Sequence, residues 1–222
     1  LPQLGCFRKK ELLLSLIILF VGPQVYAQIA QGKTKFLGNI LGSGQSDPDF
    51  ATYWNQVTPE NCGKWGSVEA TRGLMDWSGL DAMYQYEKSH AFVFKQHNFL
   101  WGQHQPTWLD TLPQDQQRIA VEKWIRAYSQ RYPDSQLVDV VNEPLHDPPH
   151  YKKALGGDGK TGWDWLVWSY ATARQYCPHS KLLLNEYGIL AGGPDLECYL
   201  TIINILKDRH LIDGIGGTIW KI

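Results

Sequence analysis

The sequence predicts an α/β fold: a parallel TIM-type (β/α)8 barrel that breaks off after about six strands. Three observations carry that expectation. Short apolar runs alternate with longer stretches of helical period. The short runs are apolar at nearly every position, as strands covered on both faces by helices must be. Polar residues gather where successive strands end, at Thr58-Pro59-Glu60-Asn61, His97-Asn98, Asn142-Glu143 and Asn185-Glu186-Tyr187. One such cluster reads as a turn, whereas four at the same end of consecutive strands read as the working face of a barrel. A doubly wound sheet also fits the alternation, but it would advertise a phosphate loop after its first strand. The stretch from Leu37 to Gly44 matches neither GxGxxG nor GxxxxGK[ST].

The elements follow in chain order. Arg8-Lys9-Lys10, an apolar run from Leu12 to Val21, and Val25-Tyr26-Ala27 read as a secretory signal peptide over residues 1–27. The run is about half the length of a membrane span. The expected location is therefore secreted or periplasmic, with no membrane attachment after cleavage. The first residue is Leu1, which reads as an alternative start or a truncated frame. Residues 28–222 are expected to form one partial barrel. Strands are expected at Lys35–Ile40, Gln56–Thr58, Phe92–His97, Leu137–Asn142, Lys181–Asn185 and Ile212–Ile215. Helices are expected at Leu80–Ser89, Asp115–Tyr132, Trp165–Tyr176 and Leu196–Arg209. Val121, Trp124, Ile125, Tyr128 and Tyr132 make one apolar stripe on the second helix, which Pro113 and Pro133 punctuate. Leu196, Tyr199, Leu200, Ile203 and Leu206 do the same on the last, with Asp195 placed to cap it.

Composition narrows the chemistry. Of 222 residues, 43% are apolar and 19% charged, with a net charge of -1. Disorder, collagen and a polybasic nucleic-acid binder are excluded. The 10 Trp and 11 Tyr supply flat rings suited to sugars or bases, and the near-neutral charge argues against a phosphate backbone. Beyond the leader the cysteines are Cys62, Cys177 and Cys198, without a CxxC pair. Free thiols fit at least as well as a Cys177–Cys198 bridge. His97 and His104 are seven apart, His146 and His150 four apart, and neither pair sits in HExxH. No metal and no cofactor is expected.

Glu143 is the strongest candidate for chemistry. It closes a buried strand, Val140-Val141-Asn142, and Pro144 ends the extended segment. A carboxyl there is partly desolvated, which raises its pKa and suits it to general acid catalysis. The plainer alternative is that Asn142 and Glu143 only satisfy loop amides. Trp65, Trp101 and Trp108 follow strands two and three, in the company of Glu60, Asn61, Lys64, His97, Asn98, Gln103, His104 and Gln105. Stacking faces and fixed polar groups together are what sugars require. Trp124 and Trp168, in contrast, sit in helical patterns and read as core.

Five ordered motifs carry a family resemblance. Thr58-Pro59-Glu60-Asn61-Cys62-Gly63-Lys64-Trp65 comes first, then His97-Asn98-Phe99-Leu100-Trp101 with Pro106-Thr107-Trp108, then Asp139-Val140-Val141-Asn142-Glu143-Pro144. Leu184-Asn185-Glu186-Tyr187 and Ile212-Asp213-Gly214-Ile215-Gly216 complete the set. Over roughly residues 35–216 the chain resembles the amino-terminal portion of the family 10 endo-β-1,4-xylanases.

The resemblance implies retaining hydrolysis of internal β-1,4 bonds in xylan, so xylan and xylo-oligosaccharides would be the partners. It makes Glu143 the acid/base, with Asn142, His97 and Trp101 around the sugar at the cleaved bond. Glu60, Asn61 and Lys64 would hold the next xylose on the non-reducing side, and Asn185 and Tyr187 would border the leaving-group side. This chain departs from the family at Gly102 (usually His), His104 (usually Gln), Glu186 (usually Asp) and Gly188 (usually Asn). The family's nucleophile belongs to strand seven, which this sequence does not reach. The expectation is thus a xylanase portion inactive alone; the alternative is a non-catalytic carbohydrate-binding or non-folding fragment. A lesser alternative makes Glu186 the second carboxylate.

Overall fold

The computed structural model describes residues 29–42 and 47–218. The expected leader, residues 1–27, lies outside them. The six strands among the described residues are β1 (Gly38–Leu41), β2 (Gln56–Pro59), β3 (Val93–Leu100), β4 (Leu137–Asn142), β5 (Lys181–Tyr187) and β6 (Gly214–Thr218). They pair in sequence order, every pair parallel. Helices wrap the sheet: α1 (Phe50–Tyr53), α2 (Trp65–Val68), α3 (Ser78–His90), α4 (Gln114–Arg131), α5 (Asp164–Tyr176) and α6 (Pro194–Lys207). The result is a curled half-barrel, the truncated (β/α) barrel that the pattern implied.

The central strands follow the expectation of double burial, whereas Ile40 on β1 and Ile215 on β6 are 58% and 60% exposed at the two edges of the sheet. Every residue of β4 after Leu137 is buried, including Asp139, which is 0% exposed. Boundaries differ where polar groups intervene. β1 begins at Gly38 rather than Lys35, because Phe36 and Leu37 stay exposed and the ladder opens with Gly38 opposite Gln56. β3 continues past His97 to Leu100 through a register shift against β4. β6 begins at Gly214, because the Asp213 side chain is already committed to the Leu182 N–H and Arg174.

The α4 stripe is buried as expected, from Val121 to Tyr132. On α6 the buried positions are Tyr199, Ile202 and Leu206, while Leu200 is 47% exposed, so the expected stripe is rotated. Asp195 does not cap α6. Gly193 occupies the cap and Pro194 the first turn, where its missing N–H costs nothing. Asp195 turns instead toward His146.

The core holds a stack of three indoles. Trp65 and Trp124 lie 5.9 Å apart at 3°, and Trp77 and Trp124 lie 5.6 Å apart at 11°. Trp124 donates from Nε1 to the Phe99 carbonyl at 3.1 Å. This stack backs the β2–α3 connection and the end of β3, and so fixes the two segments that lead into the cleft. Cys62, Cys177 and Cys198 are all free. Burial pushes the Cys177 thiol up to about 12. No helix among the described residues is long and apolar enough to cross a membrane.

Candidate active site

A cleft of about 390 Å³ opens at the carboxyl ends of the strands. Its walls include Glu60, Asn61, Lys64, His97, Trp101, Asn142, Glu143 and Asn185. Eight of the nine residues to which the family resemblance gives a role therefore converge on one cavity. The ninth, Tyr187, lies beside it, stacked on His146 at 4.2 Å.

The turn after β2 brings in Glu60, Asn61 and Lys64. It is tied at Glu60 N–H to the Leu41 carbonyl and at Lys64 N–H to the Asn61 carbonyl. Gly63 fits closely there: an added Cβ would lie 2.9 Å from Gln96 Oε1 and 3.0 Å from Pro59 Cγ, so these neighbours would have to shift. Lys64 is 8% exposed; its Nζ donates to Asn61 Oδ1 at 2.8 Å and lies 4.8 Å from the Trp101 ring centre. Burial lowers the pKa of this ammonium, while the charges of Glu60 and Glu143 act in the opposite direction.

Glu143 stands at the end of β4 with φ +53°, a left-handed conformation that a side chain rarely adopts. Hydrogen bonds hold it there: its N–H donates to the Asn185 carbonyl, and its carbonyl accepts from the Asp147 N–H, both at 2.8 Å. Strain of this kind, about 1–3 kcal/mol, persists where the surroundings over-determine it. The side chain is 5% exposed. Burial pushes its carboxyl above the ordinary value. Hydrogen bonds from Trp101 and Asn142 oppose that shift by favouring the anion, and the charges of Asp147 and Glu186 reinforce it. Trp101 Nε1 donates to Glu143 Oε2 at 2.8 Å. Asn185 Nδ2 donates to Asn142 Oδ1 at 2.7 Å, locking the amide beside the acid. A partly dehydrated carboxyl braced by these two donors, Trp101 and Asn142, can hold a proton and release it to an oxygen in the cleft.

Two cleft features were not anticipated. Lys95 lines the cavity, two residues before His97 on the same strand face. Asp139 lies beneath both, its Oδ2 2.9 Å from Lys95 Nζ and 2.8 Å from His97 Nδ1. The signal was present: a carboxylate in the apolar run Leu137-Val138-Asp139-Val140-Val141 must find a cation.

Other expectations are corrected. Trp65 is 2% exposed, stacked in the core and bonded from Nε1 to Glu69, so it offers no face to a sugar. Trp108 lines a different cavity with Arg72 and Lys123. Only Trp101 of the three reaches the cleft. His104 pairs with Ser67 and is not part of the cleft wall. Gly102 is enforced locally, because a Cβ there would lie 2.7 Å from the Pro148 carbonyl oxygen. Glu186 is 0% exposed and accepts from the Leu145 and Tyr187 N–H groups and His146, so its carboxylate is used up inside the protein. Among the described residues, no group of three or more His, Cys, Asp or Glu is arranged to hold a metal ion.

Comparison with known proteins decides the family. Residues 24–219 match the description of glycosyl hydrolase family 10. The chain belongs to that family. It is 45% identical over 155 residues to endo-1,4-beta-xylanase B of Cellvibrio japonicus, covering 69% of this chain and 25% of that protein. It is 27% identical over 198 residues to endo-1,4-beta-xylanase A of Phanerodontia chrysosporium, 84% of this chain and 48% of that one. The chain thus spans a quarter to about half of these relatives. The crystal structure of a glycosylated family 10 endo-beta-1,4-xylanase from Gloeophyllum trabeum superposes with a TM-score of 0.73 at 26% identity, over 83% of this chain and 62% of that one. Xylanase 10B of Thermotoga maritima, at 19% identity and a TM-score of 0.73, shares the fold.

Proposed function

We propose that this chain is the acid/base-bearing portion of a retaining endo-1,4-β-xylanase, acting outside the cytoplasm on internal bonds of xylan. The observation that supports it most is Glu143, a dehydrated carboxyl braced by Trp101 and Asn142 in a cleft lined by sugar-compatible polar groups. In this reading Glu143 protonates the leaving oxygen while a second glutamate, about 5–5.5 Å away, attacks the anomeric carbon. Glu143 then takes a proton from the water that releases the sugar. Glu60, Asn61 and Lys64 hold the preceding xylose, and Asn185 and Tyr187 border the leaving-group side. The cleft's own carboxylates are Glu60 and Glu143, and the occupied state of Glu186 removes it as a partner. The reading assigns the nucleophile to a strand-seven glutamate outside these residues. The chain by itself is therefore expected to bind xylo-oligosaccharides with little or no hydrolysis.

The test uses the enzyme joined to that strand-seven glutamate. Glu143→Ala should slow xylan cleavage by about 10²–10⁴-fold, the range of general acid–base catalysis. An aryl xylobioside with an acidic leaving group should suffer less in its first step, and azide should restore its turnover. Near-normal xylan hydrolysis by the variant would remove Glu143 from the role. Matched aryl xylobioside and cellobioside kcat/KM values check the sugar: equal values would overturn the xylan assignment and leave the barrel intact.

A further inference from the structure

The departure at position 186 has a structural partner. Glu186 Oε1 lies 2.9 Å from His146 Nδ1 and accepts the Tyr187 N–H at 2.9 Å, while Oε2 accepts the Leu145 N–H at 2.9 Å. His146 Nε2 lies 3.3 Å from Asp195 Oδ2 at the start of α6, and its ring stacks on Tyr187 at 4.2 Å. The imidazole therefore sits between two carboxylates from two different elements. It is also three residues from Glu143, inside the turn that the Asp147 N–H closes onto the Glu143 carbonyl. On the far side, Asp147 accepts the Gly102 N–H at its carbonyl and Gln103 Nε2 at its side chain. The turn that holds Glu143 in its left-handed conformation is thus clamped from β5 and α6 on one flank and from the β3 loop on the other.

We propose that His146 and Glu186 are a positioning pair for Glu143, fixing the strained turn that keeps its carboxyl inside the cleft. The proposal rests on the acid/base reading of Glu143. The groups facing His146 are Glu186 and Tyr187 from β5 and Asp195 from α6. All are acidic apart from the neutral phenol, so an imidazolium is the form that fits among them. Burial works against that charge, but Glu186 and Asp195 hold the proton more firmly than an isolated imidazole would. Below its folded-state pKa His146 bonds both carboxylates. As the pH rises through that value it keeps one donor and loses one tie. Glu186 reaches both the two loop amides and the ring; an aspartate is one methylene shorter.

NMR titration of the full chain tests this without any demand on turnover, so it is independent of whether Glu143 proves to be the acid/base in the rescue assay. His146 should titrate above about 6.5, the ordinary imidazole value, and Glu186→Asp should bring it down. His146→Ala should let water into the turn and move the Glu143 carboxyl midpoint by about half a unit or more toward the ordinary carboxylate value. His146→Asn, whose amide can donate as Nδ1 does, should restore most of the shift. A structural role alone would change the melting temperature and leave the Glu143 midpoint in place. An unchanged Glu143 midpoint in a folded His146→Ala chain would overturn the proposal. If that variant does not fold, a wild-type His146 midpoint at or below the ordinary value would overturn it.

Discussion

Removing Asp139 should damage stability and the cleft together. This carboxylate is fully buried in β4 and is the shared anion of Lys95 and His97, at 2.9 and 2.8 Å. Asp139→Ala leaves two cleft-lining cationic or polar groups over an empty space. Breaking a buried ion pair by deleting one member costs about 3–5 kcal/mol. The Lys95 and His97 side chains are 24% and 22% exposed, so water recovers part of this. The expected loss is about 2–3 kcal/mol, which for a chain of this size lowers Tm by roughly 5–10 °C. Asp139→Asn keeps the shape and one acceptor and should lose about half as much. Thermal unfolding gives the stability, and calorimetric titration with xylotriose gives the second readout, where roughly tenfold weaker binding, about 1.4 kcal/mol, is expected. If Asp139→Ala unfolds within about 0.5 kcal/mol of the parent, in the range of an ordinary surface change, the pairing beneath the cleft is not what holds Lys95 and His97.

Two other substitutions read single interactions. Trp101→Phe removes the N–H that stabilises the Glu143 anion, so the Glu143 midpoint should rise further; a carbon-13 titration that shows it unchanged or lower would contradict this assignment. The hydrogen bond from Arg131 holds Asp81 below the usual carboxylate range, partly opposed by burial and aided by Tyr132. That contribution is present above the unfolded value of about 3.9 and is lost as the pH falls through the lower folded one. Asp81→Asn should therefore flatten the acid limb of the stability curve and cost under about 1 kcal/mol at neutral pH, since both partners are well exposed. An acid limb as steep as the parent's would show that the α3–α4 pair does not contribute.

The strand order and the position of the cleft were legible because both depend on local signals. Apolar runs such as Leu137–Asn142 announce buried strands, and the polar residue that ends each one is carried to the same rim by parallel topology. What escaped depends on distant partners. Trp65 looked like a sugar platform in sequence, yet its stacking partner Trp124 is on α4, and nothing near Trp65 marks it as core. The α6 stripe was misjudged because Ile202 and Ile203 are equally apolar, and only packing against the sheet decides that Ile202 is inside. Asp195 suited an N-cap by type, but Gly193 and Pro194 start the helix before it, which freed it to face His146. Lys95 and Asp139 were readable in principle from the strand period and from a charge within an apolar run.

The central claim is that the rim cleft around Glu143 receives a β-1,4-linked xylose chain. The most direct measurement is a nitrogen-15 NMR titration of the chain carrying Glu143→Gln, with xylotriose and cellotriose compared. The account expects saturable shifts at the Trp101 indole N–H and the backbone amides of Asn61, Lys64 and Asn185, stronger for xylotriose, with Trp65 and Trp108 unmoved. Shifts confined to the cavity at Trp108, or no saturable change at Trp101, would contradict it.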